Sequence, residues 1–234
     1  MFRSSSGAGG VAKRIILSGF VLLFLYESWI YSQVLWWKWN NPQSTSFMSL
    51  RLQEMKTKHP SATLRYQWVD YTEISPHLKR AVIAAEDGKF MEHNGFDWDS
   101  IKKAMKKNIQ RGQPAAGGST ISQQLAKNLF LSPSKNYARK LQEAVITVMI
   151  EATWDKRRIL EVYLNVVEWG DGTFGAQAAA QKHYRTHAAY LTPAQAAQMA
   201  VMLPNPRQFE DGLPAYAVRY SATVRRRMPA TRVP

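Results

Sequence analysis

An apolar segment near the N-terminus constrains the fold of this chain more than any other sequence feature. Residues 15–37 are apolar, aromatic or small, and Glu27 is the single charged side chain among them. At about 1.5 Å rise per residue a helix of this length reaches roughly 35 Å, enough to cross a bilayer. The alternative is a secretory signal peptide, but no small-residue cleavage site follows the segment. We therefore expect a retained transmembrane helix over residues 15–37.

The flanking charges indicate the orientation of this helix. Three basic residues precede it, namely Arg3, Lys13 and Arg14. Lys38 follows it, and the next charge is Arg51. Cytoplasmic flanks carry the excess of Lys and Arg, so we expect residues 1–14 in the cytoplasm and the rest of the chain across the membrane.

The remainder of the chain predicts a single helical domain. A chain of 234 residues with 45% apolar content can form one membrane anchor and one sizeable core. Caps and apolar periods recur at short intervals and predict mainly helices. We assign residues 38–63 to a linker, 64–224 to the helical domain and 225–234 to a basic tail, whose arginines are typical of a disordered end.

The charge of the chain predicts an anionic partner. The net charge is +14 at pH 7, and nucleic acid, anionic lipid or a phosphorylated substrate would each balance it. No nucleic-acid-binding motif is recognisable, and the aromatic residues do not alternate with basic ones as in a base-stacking surface, so we expect no nucleic acid. The absence of cysteine excludes disulfides and cysteine-ligated zinc, and His183 and His187 lack further zinc ligands.

The first chemistry-bearing segment is an acidic stretch over residues 86–97. Ser75 and Pro76 form an N-cap and first-turn pair that opens a helix, and this helix delivers Glu86 and Asp87 at its end. Because apolar residues precede Glu86, partial burial would raise the pKa of its carboxyl group and make it a better proton acceptor. The alternative is an acidic surface loop. We take Glu86 as the candidate general base.

The second segment, residues 117–128, combines a glycine pair with a capped helix. Gln123 and Lys127 are four residues apart, so an amide and a cation would share one face near a helix N-terminus. This arrangement suits a phosphate group. Taken alone, the segment is more typical of a capped surface helix.

The third segment holds Arg139, Lys140 and Glu143 at the start of a helix. Its continuation, residues 144–150, is apolar nearly all round and must be buried, which places the polar first turn at the wall of a cavity. One alternative is an intrahelical salt bridge of little energetic weight. Two cations for one carboxylate leave a surplus positive charge that a bound anion would balance.

These three segments, together with residues 156–165 and the glycine-rich residues 170–175, resemble the glycosyltransferase domain of bacterial peptidoglycan polymerases, glycosyltransferase family 51. The resemblance covers roughly residues 66–209 and is specific, because five motifs occur in register. It is strongest to the monofunctional members of the family. It implies a mainly α, lysozyme-like fold of two lobes with a cleft between them, behind a single N-terminal transmembrane helix.

The resemblance also implies a reaction. The donor would be a glycan on undecaprenyl pyrophosphate and the acceptor lipid II, with Glu86 deprotonating the GlcNAc 4-hydroxyl that attacks C1 of the donor MurNAc with inversion to a β-1,4 bond. Glu143 would assist the departure of pyrophosphate, through a divalent cation such as Mg or Mn for which Glu143 is the candidate ligand.

Binding residues and location follow from the same resemblance. The pyrophosphate-binding cations would be Lys127, Arg139 and Lys140, and the further substrate-binding residues are Ser119, Thr120, Gln123, Gln124 and Asn128. The family is sensitive to moenomycin. We expect a single-pass protein of the bacterial inner membrane with its catalytic domain in the periplasm, and cell-wall synthesis or division proteins as partners.

The nearest rival is a lysozyme-like muramidase or lytic transglycosylase that degrades the same polymer. Such an enzyme needs a catalytic acid but no pyrophosphate site. The cations Lys127, Arg139 and Lys140 therefore favour synthesis over degradation.

Overall fold

The fold is mainly helical, as the sequence predicts. The computed structural model describes residues 6–111, 117–134, 136–209 and 212–234, so Arg3, used above for orientation, lies outside the described residues. The α-helices are α1 (Ser6–Trp37), α2 (Ser46–Lys58), α3 (Pro76–Glu86), α4 (Trp98–Arg111), α5 (Ile121–Phe130), α6 (Tyr137–Thr153), α7 (Lys156–Val166), α8 (Ala176–Tyr184), α9 (Pro193–Met202) and α10 (Ala215–Arg227). The strands are β1 (Arg65–Tyr66), β2 (Glu168–Gly170) and β3 (Thr173–Phe174).

The helices pack in two groups. Helix α3 packs against α9 and α10, while α5 packs against α6 and α7. Fully buried aromatic side chains fill the core, among them Phe90, Tyr163 and Trp169. The ends of α3 and α9 face the starts of α5 and α6 across a cleft described below.

Helix α1 is long and apolar enough to cross a membrane from Gly10 to Trp37. Its side chains from Ile15 to Leu25 are largely exposed, as a helix surrounded by lipid requires. Its last turns instead pack on the domain, where Ile30 and Val34 are fully buried.

The end of α1 is held by hydrogen bonds from two side chains of the domain, Trp154 and Arg158. The indole of Trp154 donates to the Val34 carbonyl at 2.8 Å. The guanidinium of Arg158 donates to the Trp37 carbonyl from Nε at 3.1 Å and from Nη2 at 2.8 Å, and to the Asn40 carbonyl at 2.7 Å. Arg158 thus satisfies carbonyls that a helix C-terminus leaves without partners.

The segment 38–63, predicted as a linker, contains helix α2 and belongs to the domain. Thr45 caps the helix by accepting from the Met48 N–H at 3.1 Å. Arg51 is buried and forms a two-bond ion pair with Glu168 of β2, at 2.8 and 3.0 Å. Met48 and Arg51 are the buried residues of this helix, so it has no broad apolar stripe and its sequence is typical of a linker.

The three short strands form one sheet in the order β1, β3, β2. Strands β1 and β3 are parallel, and β2 and β3 are antiparallel. Gly175, directly after β3, has a φ of +84°, and an added Cβ would lie 2.7 Å from the Asn165 carbonyl oxygen. Only glycine meets both conditions, which explains part of the glycine-rich stretch.

The tail 225–234, expected to be disordered, is packed on the domain. It continues α10 through a short 3₁₀ turn at Met228–Ala230. Val224 and Met228 are buried, and the Tyr71 hydroxyl donates to the Pro234 carbonyl at 2.6 Å. The expectation was wrong because Val224 and Met228 lie four residues apart and extend the apolar face of α10 into the arginine-rich segment.

Candidate active site

Helix α3 places Glu86 at the cleft, and its predicted start is confirmed. Ser75 is the N-cap, with its hydroxyl accepting from the His77 N–H at 3.2 Å, and Pro76 occupies the first turn. Val82 and Ile83 anchor the last turn in the core. Glu86 is the final residue of the helix.

A hydrogen-bond chain orients the Glu86 carboxylate. Gln124 Nε2 donates to Glu86 Oε2 at 2.7 Å, and the Tyr163 hydroxyl donates to Gln124 Oε1 at 2.9 Å. Because Tyr163 occupies the amide oxygen, the amide NH₂ group faces Glu86. Sequence reasoning missed Tyr163, whose only signal was a phenol within the apolar run of α7.

The environment of Glu86 suits a general base. Burial raises the pKa of its carboxyl group, and the hydrogen bond from Gln124 opposes this. The charge of Asp87 raises the pKa further, whereas Lys127 lowers it. The net direction is upward, which makes the carboxylate a stronger proton acceptor than an exposed glutamate.

Asp87 joins the acidic segment to the start of α5. Its Oδ2 accepts from the Ile121 N–H at 3.0 Å, and its Oδ1 lies 2.9 Å from His93 Nε2. His93 Nδ1 accepts from the Gly95 N–H at 3.2 Å, so in the neutral ring Nε2 carries the proton and donates to Asp87. The position of Glu86 relative to α5 thus depends on a buried carboxylate next to it.

Three predicted binding residues do not line the cleft, and two of them stabilise the start of α5. Thr120 and Gln123 form a capping box, with Thr120 N donating to Gln123 Oε1 at 3.1 Å and Gln123 N to Thr120 Oγ1 at 3.2 Å. The Thr120 hydroxyl donates to the Gly95 carbonyl at 2.6 Å. Both residues are buried, as is Asn128. The amide that shares the cleft with Lys127 is that of Gln124, not that of Gln123.

The other seven predicted site residues line one cavity. Its volume is about 440 Å³. The lining residues are Ala85, Glu86, Gly117, Ser119, Gln124, Lys127, Arg139, Lys140, Glu143, Leu203 and Pro204. The second and third segments therefore meet the first across the cleft.

Glu143 is buried beneath two of the three cations of this cavity. Its Oε2 accepts from Arg139 Nη1 at 2.6 Å, and its Oε1 accepts from Lys140 Nζ. Lys140 also reaches the Ser119 hydroxyl at 3.3 Å. The buried Nε of Arg139 has no hydrogen-bond partner in the part of the chain that the structure describes. A buried donor without a partner is typical of a binding site in which the ligand supplies the acceptor.

Lys127 is the third cation, and of the three it has the fewest polar partners among the described residues. Burial lowers the pKa of its ammonium group, Glu143 raises it, and Arg139 and Lys140 lower it. Within the described ranges its ammonium group forms no hydrogen bond or ion pair. Since Arg139 and Lys140 already neutralise Glu143, a phosphate anion is the ligand that best relieves the remaining positive charge.

The residues around Glu143 do not form a metal site by themselves. Divalent ions such as Mg²⁺ need several oxygen ligands in octahedral geometry. Both Glu143 oxygens are engaged by cations, and no group of three or more metal-ligating side chains exists among the residues that the structure describes. The described residues therefore do not fit a divalent ion held by the protein alone.

Known proteins resemble this chain over most of its length. The transglycosylase family model matches residues 53–229. A biosynthetic peptidoglycan transglycosylase of Azoarcus sp. is 58% identical over 94% of this chain and 96% of its own length. Proteins of the same description from Aromatoleum aromaticum and Dechloromonas aromatica are 57% and 55% identical, over 95% and 94% of this chain and 97% and 96% of their own lengths.

Proposed function

Because this chain belongs to the transglycosylase family and is a peptidoglycan glycosyltransferase, we propose that its cleft polymerises lipid II into β-1,4-linked glycan strands and releases undecaprenyl pyrophosphate. One observation carries the proposal. A half-buried carboxylate with a raised pKa shares a single cavity with three cations, Lys127, Arg139 and Lys140. A degrading enzyme on the same polymer has no use for this cation cluster, so the muramidase alternative is not favoured.

Glu86 is the proposed general base. Gln124 holds its Oε2, and its Oε1 has no hydrogen-bond partner among the described residues, so Oε1 is available for the proton of the acceptor 4-hydroxyl. As the proton moves to Glu86, the acceptor oxygen forms a bond to C1 of the donor. The bond between C1 and the pyrophosphate oxygen breaks on the opposite face, and its electron pair leaves with pyrophosphate, so the configuration at C1 inverts.

The three cations are the proposed leaving-group site. Negative charge develops on the pyrophosphate oxygen as the bond to C1 breaks, and positive groups already in place stabilise that charge more than they stabilise the ground state. Lys127 and the Nε of Arg139 have donors without partners for this purpose.

Glu143 acts in this proposal by positioning cations. Arg139 and Lys140 occupy its two oxygens, so its charge is neutralised before substrate arrives and does not repel pyrophosphate. A divalent cation at Glu143 stays a prediction. Such an ion would have to take most of its ligands from the pyrophosphate and water.

Helix α1 indicates where in the cell the reaction takes place. Its exposed apolar length suits a single membrane span, and its docked end would keep the cleft near the bilayer that holds the lipid of the substrate. The basic residues before the span support a cytoplasmic N-terminus and a periplasmic domain in the inner membrane. Cell-wall synthesis or division proteins in the same membrane are the proposed protein partners.

The test is incubation of the purified full-length protein with lipid II. We expect longer glycan strands and released undecaprenyl pyrophosphate in equal molar amounts to the new bonds. Glu86→Gln should lose this activity, whereas Glu73→Gln, which removes an exposed glutamate outside the cleft, should retain it. Shortening of a preformed glycan by the wild-type protein would overturn the proposal in favour of the muramidase alternative.

A further inference from the structure

A second cavity lies between α3 and the C-terminal segment. Its volume is about 470 Å³, and the proposed reaction does not use it. The lining residues are Ile83, Ala84, Gly88, Met91, Glu92, Arg227, Ala230, Thr231 and Arg232. Three of them are charged, two arginines and one glutamate.

This cavity adjoins the catalytic cleft. Ala85 and Glu86 line the cleft, and Ala84 and Gly88, which flank them in the chain, line the second cavity. Tyr220 of α10 contacts the chain between these residues, with its hydroxyl donating to the Ala85 carbonyl at 3.1 Å. Partial burial raises the pKa of Tyr220, the charge of Glu86 raises it further, and Arg227 lowers it, so both charges lie near this phenol.

The two arginines are exposed at the wall of this cavity. The side chains of Arg227 and Arg232 form no hydrogen bond or ion pair in the described portion of the chain. By contrast, the guanidinium groups of Arg51, Arg139 and Arg158 each bind a carboxylate.

Their backbone is fixed by the packing of the tail. Met228 is buried beside Arg227, and the Tyr71 hydroxyl holds the Pro234 carbonyl at 2.6 Å. Guanidinium groups at the wall of a cavity are well suited to bind carboxylates, because Arg matches the planar carboxylate with parallel hydrogen bonds.

We propose that this cavity binds the acidic peptide that branches from the sugar units of the substrate, through Arg227 and Arg232. The proposal rests on the proposed function, because the branched sugar must lie within one sugar ring of Glu86 when its neighbour reacts. Glu92 adds a negative charge to the same wall, so the cavity suits a peptide that carries carboxylates together with an amine.

The position of the cavity favours a peptide over an anionic lipid surface. The membrane helix α1 packs on α6, whereas α10 packs on α3 and α9, in the other group of helices. The arginines of the second cavity therefore belong to the part of the domain that does not hold the membrane helix.

The test compares two substrates in detergent micelles. One is lipid II with its complete peptide, and the other has the same lipid, pyrophosphate and sugars but a neutral lactyl amide in place of the peptide. The full-length variant R227Q/R232Q should raise KM for the peptide-bearing substrate about tenfold, the loss expected for charge-assisted hydrogen bonds, and leave KM for the peptide-free substrate unchanged. The KM of the wild type for the peptide-free substrate should approach the KM of the variant for the peptide-bearing substrate, because removal of the peptide and replacement of the arginines abolish the same interaction.

The matched control is R225Q/R226Q. It removes the same amount of charge from the last turn of α10, next to Arg227, but neither residue lines the cavity. It should behave like the wild type with both substrates, and thermal unfolding should show that both double variants remain folded.

Three results would overturn the proposal. The first is an equal rise in KM with both substrates, and the second is an equal rise in KM in the control variant. The third is a rise in KM that appears only when anionic lipid is added to the micelles, which would assign the arginines to a membrane surface. A wild-type protein that polymerises neither substrate would instead refute the proposed function itself.

Discussion

Replacing Gln124 with Leu should shift the pH dependence of polymerisation. The Gln124 amide donates to the Glu86 carboxylate at 2.7 Å and stabilises its charged form, so its removal raises the pKa of Glu86 above the already raised value. A hydrogen bond to a charged group contributes about 1.5 to 3 kcal/mol, and one pKa unit corresponds to about 1.4 kcal/mol. We therefore expect the acid limb to move upward by about one to two pH units.

The assay is kcat/KM for lipid II as a function of pH, which reports the pKa of the base in the free enzyme. A general base works only when deprotonated, so activity falls as pH falls through its pKa. In the wild type this fall should lie above the usual range of a glutamate, because burial raises the pKa of Glu86. In Gln124→Leu the fall should begin at higher pH, and activity should recover at still higher pH.

Two variants control this experiment. Tyr163→Phe keeps the amide donor but frees it to rotate, so the acid limb should move in the same direction by a smaller amount. Gln198→Leu removes another glutamine that accepts from a tyrosine, Tyr184 at 3.0 Å, and it should leave the pH profile unchanged. An acid limb that stays in place in Gln124→Leu, with activity lowered equally at every pH, would refute the idea that Gln124 tunes the base.

Three further predictions follow from the same contacts. Glu86→Gln should lower turnover by about 10² to 10⁴ and also raise the melting temperature at neutral pH. The folded carboxyl group holds its proton to a higher pH than the unfolded one, so the wild type loses stability as pH rises from the ordinary pKa of 4.5 through the raised pKa. The difference in melting temperature between variant and wild type should therefore vanish below this pH window. A lower melting temperature of the variant at neutral pH would contradict the prediction. Glu143→Gln should keep partial activity and Glu143→Ala should lose most of it, both insensitive to chelator, and a wild type that chelator inactivates would instead assign a metal to Glu143. Deletion of residues 1–37 should leave a folded domain that still acts on lipid II in detergent with lower efficiency and a lower melting temperature, because Arg158 loses a carbonyl partner; an unchanged melting temperature would show that this contact contributes no stability.

Local sequence rules predicted α3 and failed at one position of α5. The N-cap, the first-turn proline and the apolar spacing all lie within the helix itself, so the position of Glu86 at its end followed from the sequence. For α5 the sequence analysis paired Lys127 with Gln123, but spacings of three and four both share a helix face and Gln124 is the residue in the cleft. The Thr120 to Gln123 spacing was a capping-box signal that already assigned Gln123 a structural role.

Long-range pairs account for what the sequence did not predict about the fold. Helix α2 docks through Arg51 and Glu168, which are 117 residues apart, and no local pattern joins them. The tail is held by Tyr71 and Pro234, 163 residues apart. The first contact is an ion pair and the second a hydrogen bond, each to a distant element, so neither is visible in the local apolar pattern that helix prediction depends on.

The neighbouring carboxylates of the acidic segment show how the fold gives similar groups different roles. Asp87 receives hydrogen bonds from the Ile121 N–H and from His93, so a helix start and a histidine stabilise its charge. Glu86 is half-buried and has one donor among the described residues, and the charge of Asp87 raises its pKa. The negative charge of Asp87 thus increases the basicity of Glu86. The hydrogen bond from the Ile121 N–H to Asp87 also holds α5, and with it the Gln124 amide, against the end of α3. Position in the chain cannot distinguish the two carboxylates, whereas the number of donors that each receives does.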